Sequence, residues 1–506
     1  MEARTGPSTL IRTRVGILRD SIWCRVYTDF MEQTLPLIIQ GGMGVAVSDW
    51  RLARAVSKAS HMGVVSGTAL DTVMVRRLQL GDPGGHIRRA LAAYPVPEVA
   101  QQIIDRYFIP DGKASTDRFS QTSMKRDKPS QNIANLLVAG NFVEVFLAKE
   151  GHDGPVGINY LEKVQAPTLP SLYGAMLANV DFVLMGAGIP KMIPAILDKL
   201  AVGEAVDMRL DVKGATPDDN FRTHFDPATV MPGDVPTIGR PKFLAIVSSH
   251  VLAVMLAQKI DVPVDGFIIE AATAGGHNAP PRGKLKLSES GEPIYGERDQ
   301  PDFSVIAKLG LPFWLAGGYA GPENVERALA LGATGVQVGT AFAFCEESGF
   351  DADVKRRVID LSREGRAKVF TDPLASPSGF PFKVVELEGT LSDAEVFEAR
   401  NREPCTLGYL RTAYKTEDGQ AGWRCPAEPV DEYVRKGGAE EDTVGRKCLC
   451  QALLSNVDLI QIQPKGAPEP TLVTSGDDVT EVAQFLPDGA DTYSALDVIN
   501  FLLPAN

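Results

Sequence analysis

Short apolar, β-branched runs recur along the chain, several of them closing on glycine, and most are followed by a stretch with helical periodicity. A strand buried on both faces reads as a continuous apolar run and its crossover helix as a 3.6-residue repeat, so this alternation predicts βα units around a parallel sheet. Eight runs fit: "LPLIIQ" to Gln40, "MGVVSG" to Gly67, "PVGINY" to Tyr160, "VDFVLMG" to Gly186, "KFLAIVS" to Ser248, "DGFIIEA" to Ala271, "PFWLAGG" to Gly318 and "GVQVGTA" to Ala341. Eight strands predict a closed (β/α)8 barrel, a TIM barrel, which typically takes about 250 residues. The chain has 506 residues, so the surplus must sit elsewhere. The predicted organisation is an N-terminal extension over 1–35, a barrel over 36–380 and a C-terminal cap over 381–506, which lacks βα rhythm. Two insertions interrupt the barrel: 67–154, rich in helix formers such as "QNIANLLVAGNFVEVFLAKEG", and 205–240, which reads as an irregular loop through "GATPDDN" and "DPATVMPGDVP".

Composition narrows the class. A hydrophobic content of 44% is enough for a large core. No stretch approaches 18 uninterrupted apolar residues, and no apolar segment follows the charges of "MEARTGPSTLIRTRVG", so neither a membrane span nor a secretory signal is predicted and the cytoplasm is the expected compartment. A formal charge of −13 repels nucleic acid and anionic membrane, so any phosphate must be held locally.

The strongest chemical signal is "FWLAGGYAGPENVERALALGATGVQVGTAF". In (β/α)8 barrels the loops after strands seven and eight often bind phosphate through backbone N–H groups and a helix N-terminus. Gly317-Gly318 and Gly339-Thr340 occupy those loops, and "GPENVERALALG" starts with proline and ends before glycine, as a well-delimited helix does. Singly, each glycine pair is a tight turn; together, at this spacing, they favour a phosphate site. After the first strand, Gly41, Gly42 and Gly44 around Met43 leave bare backbone at the mouth, where a flat aromatic ligand can lie, and Ser48 reads as the cap of the next helix. His277 follows the sixth strand in "EAATAGGHNAPPRG" with small neighbours Ala274, Gly275 and Gly276. A lone histidine is commonly a structural residue, but one beside vacant space at the catalytic face is a candidate for substrate chemistry. Glu270 is the nearest carboxylate, and Asn159 in "GINY" points inward.

"IIQGGMG", "EAATAGGH", "LAGGYAGPENVERALALGATGVQVGTAF" and "SPSGFPFKV" resemble the corresponding segments of the nitronate monooxygenase (2-nitropropane dioxygenase) family, over roughly residues 36–390. The resemblance implies an FMN-binding (β/α)8 barrel. It places Gly42 and Met43 on the isoalloxazine ring, Asn159, Glu270, Gly275 and Gly276 near the ring or ribityl chain, Gly317, Gly318, Gly339 and Thr340 on the phosphate, and His277 as the active-site histidine. Two departures stand out: "HNAPPRG" is stiffened by Pro280 and Pro281, and Gly42 stands where the family commonly has proline. Oxidative denitrification of alkyl nitronates is the leading activity. The same resemblance leaves open an FMN-dependent trans-acting enoyl-acyl-carrier-protein reductase or an NAD(P)H:quinone reductase, with a pyridine nucleotide or acyl carrier protein as partner, and a non-catalytic flavin-binding subunit; a homodimer is also open.

The tail adds one motif that the resemblance does not cover. Cys405, Cys425, Cys448 and Cys450 fall within 46 residues, at gaps of 19, 22 and one residue. In a reducing compartment such clustering favours metal over disulfides, and a structural zinc is the expected occupant in preference to an iron–sulfur cluster, although the gaps do not match paired C-x2-C spacing. Ordinary buried thiols are the plainer alternative.

Overall fold

The computed structural model describes residues 35–503; the N-terminal extension predicted over 1–35 lies, but for Leu35, outside the described residues. From Leu37 onward the chain forms one compact unit. Its centre is a closed barrel of eight parallel strands: β1 (Ile38–Gln40), β2 (Met62–Ser66), β3 (Val156–Leu161), β4 (Phe182–Gly186), β5 (Lys242–Val247), β6 (Gly266–Glu270), β7 (Phe313–Ala316) and β8 (Gly335–Val338). All eight predicted runs are barrel strands, in chain order around the ring. β1 closes the circle by pairing with both β8 (Ile38 with Val336) and β2 (Ile39 with Met62). Helices cover the outside and side chains fill the inside, so β2 and β4 are buried along their whole length. That double burial is why these strands are apolar without alternation.

Residues 67–154 contribute the helices Leu70–Gln79, His86–Ala92, Pro97–Tyr107 and Gln131–Lys149. The last is the described helix that is long and apolar enough to cross a membrane, and it is mostly buried inside the protein, as the core helix of an α/β fold is. A buried ion network ties it to the barrel: Arg77 bridges Asp49 at 3.0 Å and Glu144 at 3.2 Å, while Glu144 accepts the Trp50 backbone N–H.

Residues 205–240 do not form the predicted irregular loop. Val206–Arg209 and Arg222–Phe225 pair as an antiparallel ribbon with alternating burial, Val206, Met208, Thr223 and Phe225 facing inward. The period-two pattern is present in "VDMR" and "RTHF" but is short and separated by turn residues. Val212–Lys213 then joins the tail strands Thr412–Lys415 and Ala421–Arg424 in a three-stranded sheet. The tail also supplies Phe382–Val385, antiparallel to Val369–Asp372.

One buried polar group links the tail to the first insertion. The Tyr409 hydroxyl donates to the Asp71 carboxylate, and Lys125 Nζ lies 2.7 Å from the same carboxylate, with both charged side chains almost wholly excluded from solvent. Removing one partner of such a pair strands the other charge in a low-dielectric interior. Lys125→Ala is therefore expected to destabilise the protein by about 3–5 kcal/mol in urea unfolding, whereas an exposed pair such as Arg356–Asp353 should cost under about 1 kcal/mol when broken.

Candidate active site

The loops at the C-terminal ends of the strands enclose a cavity of about 1520 Å³, measured out to its open mouth. His277, Gly42, Met43, Asn159, Glu270, Gly275, Gly276, Gly317, Gly318, Gly339 and Thr340 all line it. The eleven residues singled out from the sequence therefore share one space, although they come from five of the eight barrel strands and the loops that follow them.

The loop after β1 is shaped by its neighbours. A Cβ on Gly42 would lie 2.4 Å from Asn159 Cβ, so a side chain is excluded there by packing. The Met43 N–H donates to Ser48 Oγ at 2.7 Å, and Ser66 Oγ donates to the Gly44 carbonyl at 2.6 Å. Ser48 is thus spent on the loop and, contrary to the expectation, does not cap the following helix; Asp49 caps it, accepting from the N–H groups of Arg51 and Leu52. The carboxylate is the better acceptor for an N-terminal turn, and the serine is held back by Met43.

His277 is placed by a second, distant segment. Backbone hydrogen bonds run from Asn278 N–H to the Pro381 carbonyl at 3.0 Å and from Lys383 N–H to the Gly276 carbonyl at 2.9 Å, so the loop after β6 pairs with the strand starting at Phe382. The imidazole packs edge-on against Phe382 at 4.8 Å, and its Nε2 shares a 2.6 Å hydrogen bond with the buried Ser376 Oγ. Ser376 Oγ in turn lies 2.8 Å from Ser378 Oγ, and Arg446 holds the Ser376 carbonyl at 2.6 Å. Burial lowers His277 to about 4, so the ring is neutral at physiological pH.

On the other side, Gly317 and Gly318 take positive φ angles of 89° and 76°, which favour glycine and turn the backbone toward the cavity. Gly339 faces open space beyond Met43. Thr340 differs from the sequence picture: its hydroxyl accepts the Gly476 N–H at 3.0 Å and lies beside Asp478, whose carboxyl is pushed up by burial and whose residue also lines the cavity. Glu270 has its pKa raised to about 7 by burial, which makes it a group that exchanges a proton near neutrality.

Three buried polar atoms on this cavity lack a protein partner: Asn159 Oδ1, Gln337 Oε1 and Ser475 Oγ. Buried polar groups are normally satisfied, so these acceptors and the hydroxyl await a polar ligand. A flat heteroaromatic ring with N–H and carbonyl groups fits that set and the glycine-lined walls. Sequence reasoning passed over Gln337, Ser475 and Ser376. Gln337 was visible as the polar residue inside "GVQVG" and Ser376 as the first residue of "SPSGFPFKV"; Ser475 carries no local signal, since only the folded tail brings it here.

The four tail cysteines line a second cavity of about 630 Å³, and Cys450 also lines the main one. The predicted zinc site is corrected: among the described residues no group of three or more His, Cys, Asp or Glu is arranged to hold a metal ion. Burial pushes Cys448 up to about 11 and raises Cys425 and Cys450 well above the ordinary thiol range, so these three thiols stay protonated and act as small apolar wall groups.

The chain is a (β/α)8 barrel with this cavity at the C-terminal ends of its strands. Residues 223–373, spanning β5 to β8, match the family model described as nitronate monooxygenase. Over 182 residues, 36% of this chain and 45% of the relative, the chain is 27% identical to (3aS,4S,5R,7aS)-5-hydroxy-7a-methyl-1-oxo-octahydro-1H-indene-4-carboxyl-CoA dehydrogenase of Mycobacterium tuberculosis. It is 33% identical to a probable nitronate monooxygenase of Bacillus subtilis over 99 residues, 20% of this chain and 27% of that protein. The chain thus spans less than half the length of either curated relative. The structure of FabK from Thermotoga maritima superposes with a TM-score of 0.46 at 17% identity, covering 95% of this chain and 94% of that one.

The lowered pKa of His277 has a stability consequence whose sign is definite. Between its ordinary value of 6.5 and its folded value of about 4 the unfolded chain binds a proton that the folded chain refuses, so stability is lost as pH falls through that window. The slope attributable to this residue should approach about 1.4 kcal/mol per pH unit, and His277→Asn should remove it, as read from denaturant unfolding at a series of pH values.

Proposed function

We propose that the chain is an FMN-dependent oxidoreductase acting in the cytoplasm on alkyl nitronates, which it oxidises to a carbonyl compound and nitrite. The observation that carries this reading is the convergence on one cavity of two glycine loops, three unpartnered polar atoms and a neutral histidine. FMN, when bound, supplies reversible one- and two-electron transfer. Gly317, Gly318 and Gly339 expose backbone to its phosphate, with Thr340 at the edge of that site. Asn159 and Gln337 offer acceptors to ring N–H groups, and the Ser475 hydroxyl offers a donor. Asp478 stands beside Thr340, and burial raises its pKa above the ordinary carboxylate value.

His277 sets the substrate's charge state. An imidazole whose pKa is near 4 is too weak a base to take a carbon-bound proton from a neutral nitroalkane, but it donates a hydrogen bond well. It therefore suits a nitronate that arrives already ionised, steadying the nitro oxygens while Ser376 fixes the ring. Glu270 supports a second reading. A carboxyl near 7 delivers a proton at neutral pH, which reduction of an enoyl thioester requires, with NAD(P)H as electron donor and an acyl carrier protein as carrier.

Two experiments test these assignments. Gly339 has a negative φ and its Cβ would meet only Met43 Sδ at 3.5 Å, so Gly339→Leu leaves the backbone unstrained and fills the cavity instead. It should fold normally by circular dichroism and purify without flavin absorbance; full flavin occupancy would remove the phosphate assignment. Second, anaerobic mixing of the yellow protein with a nitronate should bleach it faster than NAD(P)H does, and His277→Ala should keep the flavin but slow that bleaching by roughly 10²–10³-fold. Preferential bleaching by NAD(P)H would favour the enoyl reductase reading.

A further inference from the structure

A side cavity of about 310 Å³ opens beside the main one, the two sharing Thr68, Ala69, Tyr160, Leu161 and Tyr409. It lies at the ends of β2 and β3, and β2 stands four strands from β6 in either direction around the ring, so the side cavity faces His277 across the mouth. Its remaining walls include Leu70, Leu137, Val164 and Pro167, all buried.

The two spaces differ in chemistry. In the side cavity three of the five hydroxyl-bearing side chains are committed within the protein: the Tyr160 hydroxyl donates to Asn141 Oδ1 at 2.8 Å, Thr168 Oγ1 donates to the Val164 carbonyl at 2.8 Å, and the Tyr409 hydroxyl donates to Asp71, which leaves Thr68 and Ser171 as its remaining hydroxyls. What the three committed side chains present to the space is ring and methyl surface. In the main cavity Asn159, Gln337 and Ser475 keep unpartnered polar atoms. The wall at Ala69 is also held in a left-handed conformation, φ 62°, that a non-glycine residue adopts only where the surroundings impose it.

Resting on the function proposed above, we infer that this side cavity is a subsite for an unbranched alkyl or acyl chain, so that the substrate is a chain-bearing molecule with its reacting, anionic head at His277 and its apolar tail between β2, β3 and Tyr409. A tail seated there loses water from both surfaces without stripping any polar group of a partner, and each methylene adds affinity.

The test is calorimetric titration of the purified protein with straight-chain carboxylates from acetate to decanoate, whose head mimics the nitronate oxygens without reacting. Affinity should rise about fourfold per methylene and then level off at the chain length that fills the subsite. Val164→Phe should move that break to a shorter chain. Leu161→Ala, a substitution at a half-exposed wall position that does not threaten the fold, should move it to a longer one. Affinity independent of chain length, or a break at the same length in all three proteins, would overturn the subsite. Flavin absorbance of the same samples reports separately on the proposed function: yellow protein without a break overturns the subsite alone, and colourless protein with a shifting break keeps the subsite and removes the flavin.

Discussion

The mouth of this barrel depends on one pairing, that of the loop after β6 with the strand that begins at Phe382. Those backbone hydrogen bonds put His277 against an aromatic ring and a buried serine, and so remove part of the imidazole's surface from water. The neutral state of the ring follows from that exclusion, and the chemistry available to it follows from the neutral state.

The same exclusion governs the rest of the cavity. The chain carries a net charge of −13, yet the ionisable groups that line the space, Glu270, His277 and Asp478, are all shifted toward their neutral forms by burial. Recognition of a charged ligand here falls to backbone N–H groups and fixed dipoles, which need no counter-charge and no reorganisation. A negatively charged exterior is thus compatible with the phosphate-bearing ligand proposed above, which would need only local donors.

Much of this was legible in the sequence. Parallel strands buried on both faces leave an uninterrupted apolar signature, and all eight were read from it; the glycine loops after β7 and β8 and His277 were found because they directly follow those strands. What escaped depends on long-range contact. Ser376 and Ser475 are ordinary loop residues until the tail folds over the mouth. Ser48 was favoured over Asp49 as a cap because the competing Met43 bond is a feature of loop shape. The ribbon at 206–225 was hidden by the turn residues between its short strands, and the cysteines invited a metal because clustering in sequence says nothing of how sulfurs point.

The walls of the main cavity are drawn from Gly41 near one end of the chain to Asp478 near the other. Such a site has a high contact order, and its parts cannot be neighbours until the chain has been made through Asp478. At translation rates of about 5–20 residues per second, the β1 loop must wait on the order of tens of seconds for Ser475 and Asp478 to emerge. During that interval the barrel's half-built mouth exposes apolar surface to the cell. Capture of a ligand in this cavity is therefore a late event in the protein's biogenesis, following synthesis of the tail.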